Sequence, residues 1–189
     1  MRLFVAVDPG ERLRATLATA LDTWRDRWDL NWVRPGNLHF TLRFVGEQPA
    51  SVLPALEAGL ARAAGAHVPF ETATAGFGVF PDWRRPRVLF LQLARDDELA
   101  ALAASVDAEV EDCLETDPAR GQTFRAHLTL ARIKRSPGAE ALAELRDLPA
   151  PAPHTVPVPA FRLVESRLTR RGPLYAERRV FPLAGVRPT

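Results

Sequence analysis

The tetrapeptide His39-Phe40-Thr41-Leu42 returns as His127-Leu128-Thr129-Leu130, and both copies lie in runs that read as β-strands. Successive side chains of a strand point to opposite faces. Each copy therefore presents one imidazole and one hydroxyl on the same side, while Phe40 and Leu42, or Leu128 and Leu130, point to the other. The copies stand 88 positions apart in a chain of 189, close to half its length. Two related lobes about a pseudo-two-fold axis would bring the strands together and converge two imidazoles and two hydroxyls on one cleft. That set of groups suits acid–base chemistry on a phosphate ester. A lone His on a strand is commonly structural and a single HxTx string is weakly specific; the pair in matching apolar context is the stronger signal.

The segments around the motifs predict an α+β fold of two pseudo-symmetric lobes, each an antiparallel sheet backed by helices, with the active-site cleft between them. Residues 2–7 read as a strand. Asp8 is placed to cap the next helix, with Pro9 at its first position and Glu11 completing a capping box. Leu13, Leu17, Leu21, Trp24 and Trp28 then recur at helical spacing. After the turn 34–37 the first motif strand runs over 38–45. A second helix carries Leu53, Leu56 and Leu60 and stops near Gly65. Two strands, 70–79 and 87–93, flank the loop 80–86, and a third helix spans 97–115 with Leu99, Leu102, Val106, Val110 and Leu114 on one stripe. Residues 121–126 connect to the second motif strand, 127–133. Ser136-Pro137 opens a short fourth helix, the Pro-rich stretch 149–159 reads as a linker or edge segment, and strands 161–168 and 178–183 close the chain. One bilobal domain over residues 1–189 accounts for this order.

Composition bounds the function classes. With 47% hydrophobic and 25% charged residues the chain can build an ordinary globular core. No apolar run is long enough to span a bilayer, and the start lacks the pattern of a signal peptide, so a cytoplasmic protein without membrane partners is expected. The single cysteine, Cys113, excludes an internal disulfide and a Cys-rich metal site, and its place beside Val110 and Leu114 suits packing better than nucleophilic chemistry. Lys134 is the only lysine among 25 basic residues. Arginine's planar fork can hold two phosphate oxygens at once, although an Ala-, Arg- and Pro-rich composition alone explains much of the bias.

A 2′,3′-cyclic phosphate on RNA shows what the paired motifs could do. Opening it needs a base to activate water and an acid to protonate the leaving sugar oxygen. Imidazole titrates near neutrality, so one His can be neutral while the other is protonated. Two histidines across a cleft match in-line attack, and the Thr hydroxyls can donate to the non-bridging oxygens, where charge develops.

The chain resembles the 2H phosphoesterase superfamily, and within it the bacterial and archaeal RNA 2′,3′-cyclic phosphodiesterases, also called 2′-5′ RNA ligases. The resemblance runs nearly the whole length. It rests on Arg2 to Val7, Trp32 to Pro35, Asn37 to Gly46, Gly76 to Pro81, Arg85 to Phe90, Phe124 to Arg132, Ser166 to Leu168 and Gly172 to Tyr175. It implies a bilobal fold and opening of RNA 2′,3′-cyclic phosphate ends to 2′-phosphates, without metal, ATP or other cofactor. It also implies a possible reverse reaction joining RNA ends through a 2′-5′ linkage. The family's catalytic pair falls on His39 and His127, its phosphate-binding hydroxyls on Thr41 and Thr129, and the Arg after its second motif on Arg132. Strict alternation sets Arg132 on the face opposite His127, so a bulge or twist is needed to turn it inward. Phe44 occupies an apolar slot and is expected in the core.

The remaining candidates carry less. His67 and His154 are expected at the surface. Tyr175 suits either base stacking at the cleft rim or core packing, and Trp83, Arg84 and Arg85 suit either an RNA-facing loop or a solvated turn. Two His without nearby carboxylates or cysteines make a poor zinc site, and no Gly-rich loop ends in Gly-Lys-Ser/Thr. The partner is expected to be an RNA with a 2′,3′-cyclic phosphate end or a cyclic nucleotide, bound by a monomer. The competing class is a binding module that holds a nucleotide or RNA end without turning it over.

Overall fold

In the computed structural model, residues 1–94, 97–114, 124–135, 137–149, 152–170 and 172–185 are described. The expected helix end at Glu115, residues 121–123 of the connector, Ser136 at the start of the fourth helix, and residues 150–151 of the Pro-rich stretch lie outside them. Among the described residues four helices and nine strands follow in the order β1 (Arg2–Val7), α1 (Glu11–Arg27), β2 (Asn31–Trp32), β3 (Phe40–Glu47), α2 (Leu53–Gly65), β4 (Phe70–Phe80), β5 (Val88–Leu93), α3 (Asp97–Leu114), β6 (His127–Arg132), α4 (Ala139–Arg146), β7 (Thr155–Val158), β8 (Ala160–Thr169) and β9 (Gly172–Pro182).

The strands pair in the order β7-β4-β5-β6-β3-β1-β8-β9, with β2 also on β6, and every pairing is antiparallel. The sheet curls into two four-stranded lobes whose inner strands carry the motifs: β3-β1-β8-β9 ends at the first, and β6-β5-β4-β7 at the second. They join through one bridging pair, Phe40 opposite Leu128. Beyond it β3 diverges and the short β2 takes its place beside β6, pairing Asn31 and Trp32 with Arg132 and Ala131.

Neither lobe is a half of the chain. Each draws two strands from before α3 and two from after it. The helices cross over as well. Helix α1 lies between β1 and β3, yet its later turns pack behind the other lobe: Trp24 meets the Phe77 ring edge-on at 5.4 Å, and Trp28 is buried with Val79, Leu89, Ala131 and the α4 residue Leu145. Helix α3 lies between β5 and β6 and packs behind β3, where Arg43 pairs with Asp107 (3.3 Å) and Glu111 (3.7 Å). Helix α2 lies beside α3 and reaches β9 through a Glu57–Arg179 bridge of 2.7 Å. Leu13, Leu17 and Leu21 of α1 belong to one continuous core with Leu56 and Leu60 of α2, Val106 of α3 and Val5, Phe161 and Leu163 of the sheet.

Two local expectations change, and one open alternative is decided. Helix α1 starts at Glu11, not at Pro9, because Asp8 does not cap it. Its carboxylate accepts instead from the Gly10 amide and the Arg14 guanidinium, both at 2.7 Å. Gly10 takes φ 79°, a left-handed turn that glycine adopts without a Cβ penalty. The Pro-rich stretch is an edge strand at its end, where β7 pairs with Phe70–Ala73. The last strand starts at Gly172 and forms a long hairpin with β8. No described helix is long and apolar enough to cross a membrane.

Candidate active site

The pair Phe40–Leu128 is the local centre of symmetry. Phe40 and Leu128 are 1% and 0% exposed and point into the core. Antiparallel order then sets His39 on the side of Thr129 and Thr41 on the side of His127, all facing away from the core. The two imidazoles sense each other electrostatically, as a positive charge on His127 disfavours one on His39.

Each imidazole is held in the same way. Nδ1 of His39 donates to the Asn37 carbonyl at 2.7 Å, and Nδ1 of His127 donates to the Arg125 carbonyl, also at 2.7 Å. A carbonyl can only accept, so Nδ1 carries the hydrogen in both rings. Nε2 is then the atom left to take or give a proton. Aromatic rings wall each histidine. Phe4 and Tyr175 lie 4.9 and 5.4 Å from the His39 centroid, and Phe80 and Phe90 lie at 4.9 and 5.4 Å from that of His127. The walls remove water, and this desolvation is the main reason both imidazoles are held below the ordinary 6.5. The carbonyl bonds oppose the shift. The Arg132 charge adds to it at both rings, and Arg125 adds to it at His127.

A β-bulge decides where Arg132 points. Gln92, Phe90 and Val88 alternate on one face of β5, and they stand opposite His127, Thr129 and Arg132. Leu89 and Leu91 stand opposite Ala131 and Leu128 on the buried face. Between Phe90 and Leu89 the register slips by one, so Leu130 is the extra residue in β6. Without it, Arg132 would point into the helices. With it, Arg132 joins His127 and Thr129 on the cleft face, exposed and near enough to influence both histidines and Tyr175. The sequence demanded such a bulge without locating it.

The first motif has the same break. Thr41 stands opposite Ala6 and Phe44 opposite Phe4, with one skipped residue, Leu42, between Thr41 and Arg43. Phe44 is thus the counterpart of Arg132. Its expected place in the core is incorrect: it is 67% exposed on the cleft side, 6.2 Å from the Phe4 ring. The irregular register inverts the face that plain alternation would assign.

A cavity of about 150 Å³ opens beside His39, floored by Phe4, Ala6 and Val164 and edged by Tyr175, Arg162 and Glu177. Tyr175 is therefore a wall of the site. Phe4, Phe80 and Phe90 give no such signal in the sequence, because an aromatic in a strand reads as core until its pairing is known. Two other histidines stay away. His67 is half-buried with Nε2 2.8 Å from the Ser105 hydroxyl. His154 is half-buried, and its amide donates to the Thr74 hydroxyl at 2.9 Å. Neither is the freely exposed surface residue that its loop position suggested. Cys113 is partly buried, with Sγ 3.3 Å from the Ala55 carbonyl. Among the described residues no three His, Cys, Asp or Glu side chains gather where they could hold a metal ion.

A family model described as the 2′-5′ RNA ligase superfamily matches residues 9–167. The chain belongs to that superfamily. An Archaeoglobus fulgidus protein named RNA 2′,3′-cyclic phosphodiesterase is 35% identical, covering 96% of this chain and 99% of its own. One of the same name from Thermus thermophilus is 35% identical over 98% of this chain and 91% of its own. A crystal structure of a Thermus thermophilus protein superposes with a TM-score of 0.80 at 34% identity, covering 98% and 99% of the two chains. The apo structure of LigT from E. coli shares the fold, with a TM-score of 0.72 at 22% identity and 96% of each chain covered. A 2′-5′ RNA ligase superfamily member thus carries both of its HxTx strands at the junction of two lobes.

Proposed function

We propose that this chain hydrolyses 2′,3′-cyclic phosphate ends of RNA to 2′-phosphates, using His39 and His127 as an acid–base pair. The observation that supports it best is the matched anchoring of the two rings: both give Nδ1–H to a backbone carbonyl, which leaves both Nε2 atoms for proton transfer. The name shared by the relatives at 35% identity supports the substrate class.

In this reading one neutral imidazole takes a proton from water as its oxygen attacks phosphorus. The P–O3′ bond breaks, and the other imidazole, protonated beforehand, gives its proton to O3′. The product keeps phosphate on O2′ and has a free 3′-hydroxyl. Thr41 and Thr129 donate to the non-bridging oxygens, and Arg132 offsets the charge gathering there. A bound phosphate would counter Arg132 and raise both imidazole pKa values, so substrate itself would favour the protonated acid. A ribose 5′-hydroxyl replacing water would give a 2′-5′ linkage by the same steps. No step in this scheme calls on ATP or a metal ion.

The test is a short RNA ending in a 2′,3′-cyclic phosphate, incubated with EDTA and without ATP, with the position of the product phosphate read out. Turnover to a 2′-phosphate supports the proposal. Binding without turnover would replace it with the binding-module reading, and a 3′-phosphate product would overturn the choice of scissile bond.

A further inference from the structure

Nine of the described arginines are paired with acids. Arg14, Arg25, Arg27, Arg43, Arg62, Arg162, Arg167, Arg178 and Arg179 each lie within 4.0 Å of a carboxylate. Arg2, Arg12, Arg125, Arg146 and Arg170 also lack such a bridge among the described residues but lie on separate segments, whereas at one end of the second lobe cations without one come together. The tip of the β4–β5 hairpin carries Arg84, Arg85 and Arg87, and the end of β6 carries Arg132, Lys134 and Arg135. All six are exposed, and none has a carboxylate partner among the described residues. The one acid in the hairpin tip, Asp82, is turned inward to the backbone: its Oδ1 accepts from the amides of Arg84 (2.7 Å) and Arg85 (3.2 Å).

The fold holds the two segments together. The Ile133 amide donates to the Arg87 carbonyl at 2.8 Å, and the Arg87 guanidinium donates to the Lys134 carbonyl at 3.3 Å. Arg132 stands opposite Val88 on the cleft face. The basic end is therefore continuous with the candidate active site. Six neighbouring cations against the single carboxylate of Asp82 leave a net positive excess whose self-repulsion is unfavourable in the free protein, and a polyanion relieves it. On the other side of His39 the cavity offers no such excess, since Arg162 is neutralised by Asp8 (3.2 Å) and Glu177 (3.0 Å).

We infer that the β4–β5 hairpin tip and the end of β6 form a phosphate track that holds the strand of a single-stranded RNA leading away from its terminal cyclic phosphate. This rests on the reading of the cleft as a site for such an end, and assigns the substrate as an oligonucleotide in preference to a free cyclic nucleotide. Contacts to phosphates carry no base sequence, so the track adds affinity for RNA length without adding base preference.

The experiment compares the wild-type protein with R84A/R85A/R135A, which spares Arg132 and the tethering Arg87. R12A/R146A/R170A removes equal charge elsewhere. Three readouts are taken: turnover of a cyclic mononucleotide, turnover of a single-stranded RNA of about ten nucleotides ending in a 2′,3′-cyclic phosphate, and salt-dependent binding of that RNA. Loss of three phosphate contacts should make the slope of log affinity against log salt shallower by about 2, with binding at low salt weakened about tenfold or more. Turnover of the mononucleotide should stay at the wild-type level. Unchanged RNA binding by the hairpin variant, or an equal loss in the control variant, would overturn the track. A wild-type protein that turns over neither substrate, while the hairpin variant still loses RNA binding, would overturn the hydrolase reading and leave the track standing.

Discussion

Burial sets the chemistry of His39 and His127. Each ring lies against two aromatic rings, and desolvation holds each below its ordinary 6.5. On the proposed mechanism, His39→Ala or His127→Ala lowers kcat by about 10²–10⁴-fold or more with the fold intact, the range for a lost general acid or base. Wild-type rates in either variant, with an unchanged circular dichroism spectrum, would exclude the pair. The depressed pKa also has a stability consequence. The folded state prefers the neutral ring, so the contribution of His39 is fully present above 6.5 and is lost as pH falls through 6.5 to the folded value. Urea unfolding between about pH 7.5 and 5 should therefore show a smaller acid-side loss of stability for His39→Asn than for the wild type. An equal or steeper loss in the variant contradicts the assigned direction.

At the scale of the element, the bulge at Leu130 and the skipped Leu42 do what regular strands cannot: they set three successive cleft positions at spacings of two and three residues. Strand β4 supports this from beside β5. Gly78 stands opposite Phe90, and a Cβ there would come within 2.6 Å of both the Phe90 ring and the Gln92 amide. Phe90 is stacked on Phe80 at 4.2 Å and touches His127, so its ring has little room to yield. Gly78→Ala is expected to cost about 1–3 kcal/mol in stability through overpacking, and to lower turnover by displacing His127. Thermal unfolding and kcat measured together check this, and an unchanged melting temperature would mean that β4 shifts freely.

At the scale of the molecule, each lobe is stitched from both halves of the chain. Strands β1 and β3 need β8 and β9 to complete their sheet, and Val5 and Leu17 share one core with Phe161 and Leu163. A polypeptide of residues 1–94 alone would leave those faces bare, and residues 97–189 alone would lack the partners of β6. Neither piece is expected to unfold cooperatively by itself, while a mixture of the two should regain a transition. A sharp thermal transition in residues 1–94 alone would show that the lobes are more independent than their shared core implies.

The elements and the chemistry on offer are written in local sequence pattern. Leu13, Leu17 and Leu21 at helical spacing specified a buried helical stripe, and the two HxTx strings specified which residues could meet. Both signals are local periodicities, which a reader of one dimension can see. The remainder depends on contacts between distant parts of the chain. Phe44 was expected inside and lies outside, Arg132 needed a bulge whose place was unknown, and α1 and α3 each pack behind the lobe that the other's flanking strands build. Phe4, Phe80 and Phe90 became walls of a site through their pairing partners. The physical reason is common to the three cases that concern strand residues. A side chain's face depends on strand register, and register is settled by hydrogen bonds to a strand elsewhere in the chain, where one skipped residue reverses every face beyond it.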